Sequence, residues 1–556
     1  MRCWFLLVMA ACVHTLPATS PIDPGMGVVH HAIETRSPEA QRHFDAGLAA
    51  AYGFNYDEAF FELNAAIHAD PSCAMCWWGL AYVSGPNINA FDKQAPGAYD
   101  SAVRAEKLAK SPIERALAKA MQARLTPMMM QIDFKTRGRL DEAYLEAMRE
   151  VGKLAPTDDD IQTLLAEALM SATPPFIPGW KKDGTPAFPR IDESRQVLEK
   201  ILARSPDHIG AIHFYIHIVD ASPYMEKAVP FAKKLAKLTP HAGHLVHMPS
   251  HLYLKLGRYA EADDANRAAI ATDAAYLDRS VPGTEYAMFT AHPKQYLWFV
   301  LLWEGASAEA WKQAEELRDL VGKMAMMGPD AADQAAVLEP LTAIRFGQWE
   351  RILALKDPVG PVSAIPVELG RGLAYVAKGQ LDEADKQIAK VLAAPTVGQP
   401  PAEAKPEASG KHDDMKHDDM KHDGMKHDDV PTHDDHVDPP QMGPDPLLIQ
   451  KRDEFFRATA ASAAAQLSGA VAAARGDTER AISELRRAAD LEDHIPDMGE
   501  NSKLPLPARQ RLGAVLLAAG KPAEAEAAYR EDLKQNPENG WSLFGLAKAL
   551  DAQHKP

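Results

Sequence analysis

Small and apolar residues recur along this chain at a long, regular period. Gly47, Ala59, Leu63, Ala66 and Pro71 occupy positions 8, 20, 24, 27 and 32 of a 34-residue frame that opens at Ala40. The frame runs on from Ala74, with Trp77 and Leu80 at positions 4 and 7. It returns from Gly243 with Tyr253, Gly257, Ala262 and Ala269, and from Ala291 with Gly305 and Ala310. Later copies carry Gly372, Gly379 and Ala384, then Gly469, Gly476 and Ala481, then Gly513, Gly520, Ala525, Tyr529 and Pro537. Each frame holds two amphipathic stretches of helical spacing. The small residues at positions 8 and 20 let the two helices approach closely, and the proline at 32 ends the second. One such pair cannot bury its apolar face alone, so the pattern predicts helix pairs stacked on their neighbours.

That frame is the tetratricopeptide (TPR) pattern. The fold expected is all-α, a TPR α-solenoid, with an N-terminal array over residues 35–392 and C-terminal repeats over 447–556. Residues 393–446 break the period: the segment is rich in Pro, Asp, His and Lys, lacks apolar spacing, and cannot offset the entropy cost of ordering. It is read as a disordered His/Met/Asp-rich insertion. Hydrophobic residues at 46% and charged residues at 25% of 556 suit a globular chain. The formal charge is −17, of which −8 falls in the insertion (11 Asp and 2 Glu against 5 Lys), so nucleic acid is not expected as a partner.

Histidine is the residue type that suggests chemistry. Within the insertion a five-residue unit repeats from Lys411-His412-Asp413-Asp414-Met415, and places His412, Met415, His417, Met420, His422, Met425 and His427 in register, followed by His433 and His436. Thioether sulfur favours Cu(I), and imidazole accepts Cu(I), Cu(II) or Zn. The tract therefore reads as several exchangeable copper sites, with zinc as the alternative, ordered by the metal they bind. The competing reading is a solvated acidic spacer.

A second population lies on the first helices of successive frames, which line the concave groove of such a solenoid. His213, His217 and Asp220 fall at positions 5, 9 and 12 of one frame, His244, His247 and His251 at 2, 5 and 9 of the next, and His292 at 2 of the third. The i, i+3, i+4 and i+7 spacings keep each set on one helix face, the arrangement by which a helix presents imidazoles to a transition metal. Asp220 would be a further ligand or would orient a histidine. Pro249 deletes an amide donor among them and should bend the helix, re-aiming His247 and His251. The competing reading is a polar groove that takes a peptide or another protein.

The N-terminus reads as an export signal, residues 1–20: one basic residue, the apolar run Cys3 to Val13, and small residues near Ala18. Export to a periplasm follows. Met9-Ala10-Ala11-Cys12 also resembles a lipobox, which would anchor the chain to a membrane through Cys12; no transmembrane span is expected otherwise. Of the cysteines, Cys73 and Cys76 remain in the mature chain, where a C-x-x-C pair serves a structural or redox role. Trp77 follows Cys76, so haem attachment is not expected, nor is a nucleotide or flavin site.

The segments Asp70-Pro71-Ser72-Cys73-Ala74-Met75-Cys76-Trp77-Trp78-Gly79, His213-Phe214-Tyr215-Ile216-His217, and Gly243-His244-Leu245-Val246-His247-Met248-Pro249-Ser250-His251 resemble a family of exported bacterial TPR-repeat proteins. The resemblance covers most of the mature chain, and the Gly-His-Leu-x-His-Met-Pro-x-His piece is its most specific part. It implies the solenoid and the exported location, and no established reaction. Members often carry Pro-His-Asn-x-His where this chain has Ala291-His292-Pro293-Lys294-Gln295, which keeps one imidazole and weakens a ligand role for Gln295. Three functions follow in order: a periplasmic metal-binding scaffold for copper, a protein- or peptide-binding adaptor, and a metal-dependent hydrolase. The hydrolase comes last because neither H-E-x-x-H nor a nucleophile elbow accompanies the histidines.

Overall fold

The computed structural model describes residues 22–90, 93–127, 132–174, 179–278, 284–323, 329–394, 446–496 and 504–555. Residues 1–21, where an export signal is expected, and the insertion residues His412 to His436 lie outside the described residues. Helices run up to Leu381–Leu392 and resume with Pro446–Ala474. Among the described residues every extended element is helical, apart from two isolated bridges at Asn87–Ala90 and Trp180–Pro186.

The first pair shows how local sequence sets the repeat. Ser37 caps the helix Pro38–Tyr52, its hydroxyl accepting from the Ala40 amide at 3.1 Å, with Pro38 in the first turn where no donor is lost. Asn55 caps Tyr56–Ala69 in the same way. The two helices approach so closely at Gly47 that a Cβ there would lie 2.7 Å from Leu63 Cγ. The small residue at position 20 is fully buried in six frames: Ala59, Ala262, Ala310, Ala384, Ala481 and Ala525 have no exposed surface. Position 15 turns the chain between helices, and Gly257 does so at φ +72° with the Pro537 carbonyl 2.5 Å from where a Cβ would stand. The fold is a TPR α-solenoid.

Residues 84–208 depart from the recognised frame without leaving the architecture. Helices Ala98–Leu108, Pro112–Arg124, Phe134–Leu154, Asp159–Ser171 and Pro189–Arg204 stack in sequence. The longer connections before Ala98 and after Ser171 help wall a cavity of about 820 Å³. The coil then turns back on itself. The helix Ile209–Val219 packs against Pro38–Tyr52 of the first repeat. Tyr259 donates to the Pro537 carbonyl at 2.7 Å, Arg345 donates to Gln510 at 2.9 Å, and the Arg345 guanidinium lies 3.7 Å from the Trp541 ring centre. Among the described residues no helix is long and apolar enough to cross a membrane.

Cys73 and Cys76 form a disulfide with no exposed surface, at the start of the helix Ala74–Val83. The pair is therefore a local bridge, and while bridged its sulfurs do not supply thiolates to a metal.

Candidate metal centre

The helix Ile209–Val219 (Ile-Gly-Ala-Ile-His-Phe-Tyr-Ile-His-Ile-Val) is apolar on almost every side, which suits an element enclosed by neighbours on all faces. His213 sits inside it with no exposed surface. Its Nδ1 lies 2.6 Å from the carbonyl of Tyr52, one of the last carbonyls of a helix and so without an intrahelical donor. A carbonyl only accepts, so Nδ1 carries the hydrogen and Nε2 presents a lone pair. That lone pair faces two further imidazole nitrogens, His244 Nε2 and His217 Nε2, each at 3.1 Å. Nitrogens on a tetrahedral metal with bonds of about 2.0 Å stand about 3.3 Å apart. The three imidazoles thus form a nearly ready-made set of ligands, with the tautomer of one fixed by a backbone carbonyl.

A second set repeats the logic. His247 Nδ1 lies 2.6 Å from Asn266 Oδ1, and the Asn266 amide nitrogen donates to the Ala262 carbonyl at 2.8 Å, which fixes the amide so that its oxygen accepts. His247 therefore turns the lone pair of Nε2 toward His251 Nε2, 3.0 Å away. On its other nitrogen His251 meets the Tyr296 hydroxyl at 3.2 Å and Asp220 at 3.8 Å. His292 completes the group, its ring centre 4.7 Å from that of His247, and the candidate ligand atoms of all three lie within 4.8 Å of one another.

Local sequence explains the aim of these side chains. Proline at 249 ends the helix Gly243–His247 and starts Pro249–Lys255, with Met248 helical between them, so the expected bend is a break into two short helices. His247 and His251 stay on one face across it. Gly243 makes room for the Asp273 carboxylate: a Cβ there would stand 1.8 Å from Asp273 Oδ1 and would force that side chain to shift.

The structure brings His213, His217 and His244 together, and His247, His251 and His292 together. It differs from the groove expectation in one respect: His213, His247 and His251 are buried between repeats, at 0%, 0% and 1% exposure, and do not stand on an open concave surface. The physical reason is the return of the first repeat, whose Phe54 covers the set with ring centres 4.6 Å from His213 and 5.2 Å from His244. Phe54 holds φ +54°, a costly conformation for an aromatic residue that the surrounding packing enforces. Asp220 lies beside the second set and outside it, accepting from Lys255 at 2.8 Å. Gln295 is exposed. Burial, followed by the charge of neighbouring imidazoles, holds the pKa of both His213 and His244 well below the ordinary value, so both are neutral and able to coordinate.

Tyr52, Phe54, Asn266 and Tyr296 surround these histidines, and nothing in the repeat frame marks them. A third group was also not legible: His31, Asp158 and Asp160. His208 accepts from the Ala211 amide on Nδ1, so its Nε2–H faces Asp160 at 3.2 Å, and Tyr52 donates to the same carboxylate at 2.8 Å. Burial would lower the His31 pKa, but the hydrogen bond and charge of Asp160 raise it. Asp160 meets His31, His208 and Tyr52, and the group is read as a polar network that ties residues near His31 to the array.

Asp273, at the entrance to the Gly243–His247 helix, gives a pH-dependent prediction. Burial pushes its carboxyl up to about 6, partly opposed by the Tyr286 hydroxyl, which donates at 2.8 Å. The folded state then binds more protons than the unfolded state between pH 3.8 and about 6, so stability falls as pH rises through that window. Asp273→Asn is expected to raise stability at pH 8 by up to about 3 kcal/mol, at 1.4 kcal/mol per unit, and to change it little at pH 4. Urea midpoints at the two pH values check this.

No family model and no curated protein sequence matches the chain. Solved structures of helical-repeat proteins do. A tetratricopeptide repeat protein from Parabacteroides merdae aligns at 12% identity over 51% of this chain and 94% of its own, with a TM-score of 0.30. The APC/C hetero-tetramer Cut9-Hcn1 aligns at 12% identity over 92% of this chain and 76% of its own, with a TM-score of 0.32. The human IFIT1 dimer aligns at 14% identity over 81% and 72%, with a TM-score of 0.28. Such likenesses concern the fold alone, and at these TM-scores none bears on what this chain binds.

Proposed function

We propose that this chain is an exported TPR scaffold that binds transition metal at its buried histidine sets, with copper as the metal and zinc as the alternative. The observation that carries the reading is the convergence of imidazole nitrogens at 3.0–3.1 Å, with the Nε2 lone pairs of His213 and His247 turned toward their neighbours. The single Nε2 lone pair of His213 can accept one neutral Nε2–H from its neighbours, whereas a cation among the three nitrogens uses a lone pair from each. Ligands made only of neutral imidazole suit copper and zinc and give hard cations such as magnesium or calcium nothing to bind. The Met/His tract of the insertion is the reason to favour copper: its repeated soft and borderline donors would capture ions and pass them to the buried sets. Residues 1–20 would deliver the protein to a periplasm, with lipid anchoring at Cys12 as the alternative.

Metal analysis of the full chain, loaded and then gel-filtered, tests this. Copper or zinc is expected at stoichiometric amounts, and removal of residues 411–436 should leave the tightly held part in place. Absence of retained metal in both proteins overturns the reading. Asn266→Leu, which frees the His247 ring from its fixed tautomer, is expected to weaken metal binding by roughly 10-fold, the lower end of the effect of losing such a supporting partner, because Ser250 Oγ remains 3.1 Å from the same nitrogen. Competition titration with a chromogenic chelator measures it.

The adaptor reading finds support elsewhere in the fold. The helix Gly540–Asp551 leaves Leu543 and Phe544 40% and 67% exposed, an apolar patch that suits a protein partner. A partner captured there should be insensitive to chelation and lost in Phe544→Ser.

A further inference from the structure

The two histidine sets stand close enough to be one centre. We propose that they form a dinuclear site in which two metal ions share a small bridging anion of one to three atoms, hydroxide in water; this rests on the metal-binding reading above. Three observations lead there.

The first is continuity. Within the first set the ring centres are 4.8, 5.0 and 6.2 Å apart. Between the sets, His217 lies 6.1 Å from His251 and His244 lies 6.2 Å from His247. The gap between the sets is no wider than the spread within one of them, so ions held by each would face one another across a space the size of a small ligand. Two-metal sites of this kind hold their ions about 3.5–4 Å apart.

The second is charge. Six neutral imidazoles leave two divalent ions with their full charge in a buried place, and among the described residues no carboxylate joins either set. The nearest, Asp220, is already paired with Lys255. Buried charge of that size requires a counter-ion, and the position between the two cations is where an anion gains most.

The third is access. His217 and Asp220 belong to the wall of the cavity of about 820 Å³, beside Ile218, Trp180 and Met170. A small anion in that cavity reaches the centre at His217, while the buried His213, His247 and His251 are shielded from bulk water. An exchangeable bridging position with a route to solvent is what distinguishes such a centre from a closed storage site.

Electron paramagnetic resonance of the copper(II)-loaded full chain tests the proposal, after gel filtration has removed weakly held ions. The expected result is about two retained copper ions per chain with an integrated signal roughly tenfold below the retained copper, because a shared bridge couples the two spins. Acid quenching should recover the full signal, and azide should produce a new near-ultraviolet absorption band. His251→Gln, which removes one ligand of the second set, should hold one ion and give its full signal. Two retained ions with a full, uncoupled signal overturn the dinuclear centre and leave the metal-binding reading standing. A signal that stays silent in the folded His251→Gln protein also overturns the dinuclear centre. No retained copper overturns the dinuclear centre, and retention of neither copper nor zinc overturns the metal-binding reading as well.

Discussion

Glu167→Ala is expected to destabilise the N-terminal array by about 3–5 kcal/mol, the cost of leaving a buried charge without its partner. Glu167 and Arg124 are each 1% exposed, and the guanidinium donates to both carboxylate oxygens, at 3.1 and 2.6 Å. Arg124 also donates to Ser171 at 3.0 Å and lies over the Tyr144 ring, 4.4 Å from its centre. Burial opposes the charge on Arg124, but Glu167 more than compensates and raises its pKa. No neighbour takes over when Glu167 is lost. Asp141 is 4.0 Å from Arg124 Nε and is held by Arg137 through two hydrogen bonds at 3.0 and 2.8 Å. The double variant Arg124→Met with Glu167→Leu should recover most of the loss, since apolar residues of similar volume replace a buried pair at little net cost. Urea unfolding of the single and double variants separates the cost of an orphaned charge from that of a damaged core. Arg124, Arg137 and Asp141 also line the large cavity, so the single variant should disturb the approach to His217 as well.

What the sequence made legible follows from the range over which each feature is decided. The small positions at 8 and 20 and the turn glycines at 15 are settled within one helix pair, and a period of 34 residues exposes them. The i, i+4 pairs His213/His217 and His247/His251 were legible for the same reason, because helical spacing alone puts them on one face. That His213 meets His244, 31 residues away, followed from the stacking of consecutive frames. Burial of these histidines was not legible. It depends on Phe54 and the Tyr52 carbonyl, which reach the site because the superhelix brings residues 52–54 back beside 213, a separation of 161 residues between Tyr52 and His213. No local pattern encodes a superhelical closure. Residues 84–208 were opaque for a different reason: their helices stack as repeats do, but longer connections replace the tight turns that mark a frame. Asp220 illustrates the limit of residue type as a guide. Its position at the end of the Ile209–Val219 helix points it near the histidines, but Lys255, from the second half of a helix broken at Pro249, takes its carboxylate.

Metal loading is expected to raise the stability of the folded chain by about 4 kcal/mol for each ion at a free concentration a thousandfold above its dissociation constant. Two ions would add about 8 kcal/mol, comparable with the whole stability of an ordinary domain. The size of the effect comes from linkage: the ligands are drawn from three repeats and from 80 positions of chain between His213 and His292, so the unfolded chain cannot reproduce the site. Thermal unfolding with and without a strong chelator should therefore show a large downward shift on chelation, confined to the transition that includes the helices Ile209–Val219, Gly243–His247 and Pro249–Lys255. His213→Ala should lose about half of the shift if each set binds its own ion and nearly all of it if the second ion needs the first. An unchanged transition on chelation of a metal-loaded protein would mean that the histidines pack against one another without metal. In that case neutral Nε2–H tautomers of the neighbouring histidines would satisfy the lone pairs of His213 and His247 by hydrogen bonds, with the Tyr52 carbonyl and Asn266 fixing the ring orientations.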